Sequence, residues 1–187
     1  MTSTAHNGSP WQNDRMMIKK RRISIQTAVM QMAGVCARSE HCESEIREKL
    51  RQLGLGSLNS DEVMRQLVED DFVNNARYAK AFANDKFRLG QWGRVKIQAA
   101  LAAKGVSEND IKAALSEIDE TEYRETLARL ARTQAEGVDL EIYRDRAKVI
   151  RHLLSRGFES TLVIEAIAEL RRERADAMYP EDEDDLL

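Results

Sequence analysis

Proline occurs twice in the 187 residues, at Pro10 and Pro180, so little between those positions interrupts a helix. Aromatic residues make up only 5% of the chain while charged residues make up 33%, a balance that suits helices. No apolar run approaches the roughly 18 residues that a membrane span needs, so no membrane association is expected. The two cysteines, Cys36 and Cys42, and the lack of an apolar core in Met1 to Trp11 lead to the expectation of a reducing cytoplasm.

Catalytic signatures are missing as well. There is no G-x-x-x-x-G-K loop, and Gly54-Leu55-Gly56 is followed by Asn59 where a dinucleotide fold needs its third glycine. His6, His41 and His152 lie far apart, with no serine or cysteine motif around them. Cys36, His41 and Cys42 cluster, but two thiols six apart with no second pair downstream do not match a structural zinc pattern. Both cysteines fall on apolar helical faces, where cysteine behaves as a small hydrophobe. The sequence therefore predicts a protein that works by binding, without catalysis, metal or cofactor.

What the chain has is a repeat. Ile25, Val29, Met32 and Cys36 fit one helix face, and Cys42, Ile46, Leu50 and Leu53 fit a second that Gly54 stops. Asn59-Ser60-Asp61-Glu62 offers a cap for a third helix through Val63 and Leu67. The pattern returns as Ile97, Leu101, Gly105, then Ser107, Ile111 and Leu115, and again as Val149, Leu153, Gly157, then Val163 and Ile167. The three glycines are 51 and 52 residues apart. Copies two and three place their next anchors six and ten residues past the glycine. Copy one places them at nine and thirteen, which predicts a turn three residues longer. Leading helices are expected over Asn75 to Phe87 and Glu122 to Thr133, the latter after a D-x-x-E start at Asp119, and the last helix is expected to end near Arg174.

The expected fold is all-α, with about nine helices in tandem three-helix repeats forming an elongated, curved array of either hand. A unit of about 50 residues is marginal alone, so neighbours must share apolar surface along a line. The boundaries read as a basic arm over 1–23, repeats over 24–70, 71–118 and 119–174, and an acidic tail over 175–187.

The net charge of −3 conceals segregation. Residues 77–104 carry seven basic groups against Asp85, a net of +6, and residues 144–156 carry five against Asp145, a net of +4. Lys19-Lys20-Arg21-Arg22 precedes the first helix, and Glu181 to Asp185 closes the chain with five acids. Such stripes are either solvated faces or surfaces for an anionic partner; their recurrence in two repeats and the near absence of acidic neighbours in sequence set the second reading level with the first. Trp92 beside Arg94 and Lys96 reads as a packing anchor between units or as a stacking group among cations.

The segment Phe72-Val73-Asn74-Asn75-Ala76-Arg77-Tyr78-Ala79, then Gly90, Trp92-Gly93, Ile97, Leu101 and Lys104-Gly105-Val106, resembles the RecX family of RecA regulators. Glu45-Ile46 with Lys49-Leu50 and Arg156-Gly157-Phe158 are similar to its first and last repeats. Asn74 departs from the family's usual aspartate but can cap a helix equally well. Ser39-Glu40-His41 departs from an Arg-Glu pair common there. The resemblance implies a monomeric protein of three three-helix repeats that binds the groove of the RecA–single-stranded-DNA filament and restrains ATP hydrolysis, strand exchange and coprotease activity. An autonomous DNA-binding protein, on single or double strands, is the alternative. Candidate contacts to RecA or DNA are Arg77, Lys86, Arg88, Trp92, Arg94, Lys96 and Lys104 in the middle repeat, and Arg146, Lys148, Arg151 and Arg156 in the last.

Overall fold

The computed structural model describes residues 23–178. The basic run Lys19 to Arg22 and the acidic run Glu181 to Asp185 lie outside them. Among the described residues there are nine helices and no strand: α1 Ile25–Cys36, α2 Glu43–Gln52, α3 Ser57–Glu69, α4 Asn75–Arg88, α5 Arg94–Ala103, α6 Glu108–Ser116, α7 Glu120–Gln134, α8 Tyr143–Ser155 and α9 Ser160–Met178.

Capping sets several of these starts. Asn74 accepts a hydrogen bond from the Arg77 N–H, Ser107 from Asp110 and Asp119 from Glu122, each satisfying a donor that the first helical turn leaves free. The stops are the three repeat glycines. Gly54, Gly105 and Gly157 have φ of 81°, 77° and 89°, the left-handed conformation that lets the chain leave a helix sharply. The last helix continues to Met178, past the expected end at Arg174.

The expected longer turn in the first repeat is absent. α3 begins at Ser57, three residues past Gly54, just as α6 and α9 begin three residues past theirs. Asn59 to Glu62 lies inside α3 rather than capping it. Ser60 is buried at the place that Ile111 and Val163 occupy in the other copies, and Met64 occupies that of Leu115 and Ile167. A polar residue at the first anchor hid the register, because periodicity is read from apolar residues alone.

Each set of three helices packs upon itself: α1 with α3, α4 with α6 and α7 with α9, with α2 against α3, α5 against α4 and α6, and α8 against α7 and α9. Every extensive helix–helix contact among the described residues falls within one of these units. No hydrogen bond or ion pair among them joins the first unit to the third, so the units stand in a row. One apolar core, including Ile46, Leu50, Val63 and Leu67, is built from the first unit together with Val73 just after it. A second runs through the other two units without a break and takes in Phe87, Tyr123, Leu127, Phe158 and Val163.

The two junctions use equivalent positions in different ways. Between the second and third units, Tyr123 sits 5.6 Å from Phe87 and 5.2 Å from Phe158, ring centroid to centroid. Two backbone bonds cross there, Gly93 N–H to the Arg156 carbonyl at 2.9 Å and Val95 N–H to the Gly157 carbonyl at 3.0 Å. One repeat earlier, the positions of Phe87, Tyr123 and Phe158 are held by Cys36, Tyr78 and Val106. Small side chains replace two aromatics, and polar side chains take over the joining. Glu45 receives Lys104 at 2.5 Å, His41 at 2.9 Å and the Tyr78 hydroxyl at 3.1 Å. Ser44 donates to the Lys104 carbonyl, and Asn75 accepts from the Glu43 N–H. Cys42 is fully buried and joins the second unit's core, consistent with its apolar reading.

Candidate functional site

The basic stripe over 77–104 is less free than its sequence suggests. Five of its seven cations find carboxylates within 4 Å: Arg77 with Glu40 and Asp71, Lys80 with Glu117, Arg88 with Glu122, Arg94 with Glu120 and Glu159, and Lys104 with Glu45. All of these acids but Asp71 lie more than 20 positions away in sequence, so a search of neighbouring positions misses them.

Four of these cations cross a junction between units, and Arg88 does so by reaching Glu122 of α7 at 3.0 Å. Arg77 at the start of α4 reaches Glu40 between α1 and α2 at 2.6 Å and also holds Asp71 at 2.8 Å, just before its own helix. Lys104 closes the Glu45 cluster. Burial pushes the Glu45 carboxyl up, but the bonds from Lys104, His41 and Tyr78 outweigh it and hold the group below the usual carboxylate range. Arg94 lies with its guanidinium 4.1 Å from the Tyr123 ring, donates to the Ile118 carbonyl and bridges to Glu120. Its side chain is only 22% exposed. The Arg94 N–H and the Glu159 carboxylate share the Tyr123 hydroxyl, at 3.0 and 2.6 Å. Burial, then the Glu159 hydrogen bond, pushes that phenol above its ordinary range.

Lys86 and Lys96 are different. Neither has a carboxylate partner among the described residues. Both lie over the half-buried Trp92 indole instead, with Nζ 5.2 and 4.4 Å from the ring centroid. Lys86 is also 5.3 Å from the Phe82 ring. Trp92 also packs against the second core.

In the third unit, Arg146 is spent on the Leu140 and Glu141 carbonyls, and Lys148 pairs with Asp145 at 2.7 Å. Arg151 is exposed and donates to the Ala147 carbonyl of its own helix. Arg156 donates to the Gly90 carbonyl at 3.0 Å, which brings it to the loop carrying Trp92. The structure thus gathers Lys86, Trp92, Lys96 and Arg156 at one junction. Arg77, Arg88, Arg94 and Lys104 are engaged in holding units together, and Arg146, Lys148 and Arg151 lie apart from the cluster in local contacts of their own. Glu45, Glu159 and the hydroxyls of Tyr78 and Tyr123 were not foreseen as junction groups. The signal available was that both tyrosines occupy the fourth position of a leading helix.

Among the described residues no helix is long and apolar enough to cross a membrane. The fold and its charged surface define an all-helical protein built of tandem three-helix repeats, in which side chains between units are used for assembly as much as for display. A sequence model described as RecX, second three-helix domain, matches residues 74–115, which is the span of α4 to α6. The regulatory protein RecX of Pseudomonas savastanoi is 32% identical over 127 residues, covering 68% of this chain and 81% of that protein. RecX of Clostridium perfringens is 32% identical over 120 residues, covering 63% of this chain but only 56% of that longer protein. The crystal structure of RecX from Lactobacillus salivarius has the same fold, with a TM-score of 0.70 at 23% identity, over 79% of this chain and 97% of that one. The chain belongs to the RecX family of regulatory proteins.

Proposed function

We propose that this protein binds the groove of the RecA–single-stranded-DNA filament and lowers RecA's ATP hydrolysis, strand exchange and coprotease activity during recombination and SOS repair. The observation that carries the proposal is family membership, through a match that spans most of both this chain and its Pseudomonas relative. A row of three like units suits a helical filament, because a repetitive object is best followed by a repetitive surface. The repeats at 24–70, 71–118 and 119–174 are the contact modules, acting in a cytoplasmic monomer.

Co-sedimentation with RecA filaments, with and without an ATP analogue, tests the binding. Steady-state ATP hydrolysis by RecA on single-stranded DNA tests the effect. The expected outcome is co-pelleting with nucleotide-loaded filaments and a fall in hydrolysis at or below equimolar protein. A folded sample that neither pellets with filaments nor changes hydrolysis would refute the proposal. The alternative of an autonomous DNA-binding protein draws on the two lysines without carboxylate partners, and it predicts the same affinity for DNA whether or not RecA is present.

A further inference from the structure

We propose that Lys86, Trp92 and Lys96, with Arg156 beside them, form one site for the backbone of single-stranded nucleic acid at the junction of the second and third units. This deepens the filament proposal, on which its place in the cell rests, by assigning the patch to DNA rather than to RecA.

The first support is what the fold leaves over. Once the carboxylates are assigned, Lys86 and Lys96 are the two cations of residues 77–104 without an acidic partner among the described residues, and both come to one indole. An ammonium held on an aromatic face gives up no ion pair when it takes a phosphate. Arg156 adds a third charge with no carboxylate partner among the described residues, and one of its N–H groups is used on Gly90.

The second support is preorganisation. Trp92 is held by its N–H to the Lys86 carbonyl at 3.0 Å, and Gln91 before it turns in the left-handed region at φ 54°. A Cβ at Gly90 would crowd the Lys86 carbonyl and the Trp92 ring, so the loop is seated closely under the indole. Lys96 follows Gly93, whose backbone contacts Gly157 of the next unit. Little side-chain or loop freedom is left to lose on binding.

The third support is the mixture of groups. An acidic protein loop would use the ammonium groups alone. A nucleotide strand uses both parts, phosphates for the cations and a base for the indole, and that pairing of a basic groove with an aromatic is how single strands are held without sequence preference.

The test uses the full chain without RecA, titrated into a fluorescently labelled oligo-dT strand by anisotropy at a series of salt concentrations. Each phosphate contact on a single strand contributes about 0.7 to the slope of log K against log salt, so K86A/K96A is expected to reduce the slope by about 1.4. K86R/K96R should retain it. K112A/R129A removes the same charge from exposed positions elsewhere and should leave the slope unchanged. In a W11F background, where Trp92 is the one remaining tryptophan, the strand should quench its fluorescence. An unchanged slope in K86A/K96A, an equal fall in K112A/R129A, or an unquenched Trp92 would each overturn the site. Stronger binding to a duplex of the same length would overturn its assignment to single strands. If K86A/K96A instead loses RecA filaments while wild type ignores naked DNA, the patch belongs to an acidic face of RecA. The filament proposal then survives this one's failure.

Discussion

Gly93 at the start of α5 and Gly157 at the end of α8 are in direct backbone contact. A Cβ placed on Gly93 would overlap the Gly157 carbonyl, and one placed on Gly157 would overlap Lys96. Gly105, the counterpart of Gly157 one unit earlier, has nothing within 4 Å of such a Cβ. The same glycine is therefore a helix stop at one junction and both a stop and a close-packed joint at the next.

Alanine substitution should separate the two roles. Gly105→Ala strains only a left-handed backbone and should cost about 1–2 kcal/mol. Gly157→Ala adds the overlap with Lys96 and should cost about 2–5 kcal/mol. Gly93→Ala has ordinary φ and should cost about 1–3 kcal/mol through overlap alone. Urea midpoints measure all three; equal losses at Gly105 and Gly157 would contradict the close approach.

Tyr123→Phe keeps the buried ring but removes the hydroxyl shared by Glu159 and the Arg94 N–H. A loss of about 1–3 kcal/mol is expected, the cost of leaving buried polar groups without a partner. Tyr78→Phe should cost only about 0.5–1.5 kcal/mol, because Glu45 keeps Lys104 and His41. Chemical denaturation of the two variants side by side checks the order.

Acid should loosen the first junction. The Glu45 carboxyl is held below its ordinary value in the folded protein, so its contribution is present above the unfolded value, about 4.3, and is lost as pH falls through the folded one. Replacing Glu45 with Gln should remove that component of the pH dependence. Comparing stability of wild type and E45Q across the acid range is the check, and the two should converge at the low end. A difference that grows on acidification would reverse the sign assigned to this group.

Charge reversal should sort the cations by role. Lys86→Glu with Lys96→Glu should weaken co-sedimentation with RecA filaments while thermal unfolding changes less than for Arg94→Glu, since contacts to the Trp92 ring are lost but no ion pair among the described residues is broken. Arg94→Glu should lower the unfolding temperature, because it places a carboxylate beside Glu120 and Glu159 and removes the cation from Tyr123. At about 2–4 °C per kcal/mol, a loss of several degrees is expected. Calorimetry with the pelleting assay tests both; an Arg94 variant that melts normally would return that residue to the display surface.

Much of the fold was legible in the spacing of Ile46, Leu50 and Gly54 and their counterparts, because a helix stopped by glycine writes itself locally: apolar residues every three or four positions, then one residue free to turn left-handed. The first repeat's third helix was misread for the same reason. Ser60 carries no apolar signal, yet it occupies a core position that its neighbours in space define.

The candidate surface was half legible. Sequence marked where cations are dense and picked out Trp92, and that much depends only on composition and order along the chain. Whether a cation is free depends on which acids come near it. Glu40 meets Arg77 and Glu45 meets Lys104 across 37 and 59 positions of sequence. The chain by itself determined three helical units, their stops and their charge. Only the tertiary structure decided that Arg77, Arg94 and Lys104 join units while Lys86 and Lys96 gather on Trp92. The reason is range: backbone hydrogen bonding and periodicity act over a few residues, whereas ion pairing and packing act over a few ångströms, whatever the distance along the chain.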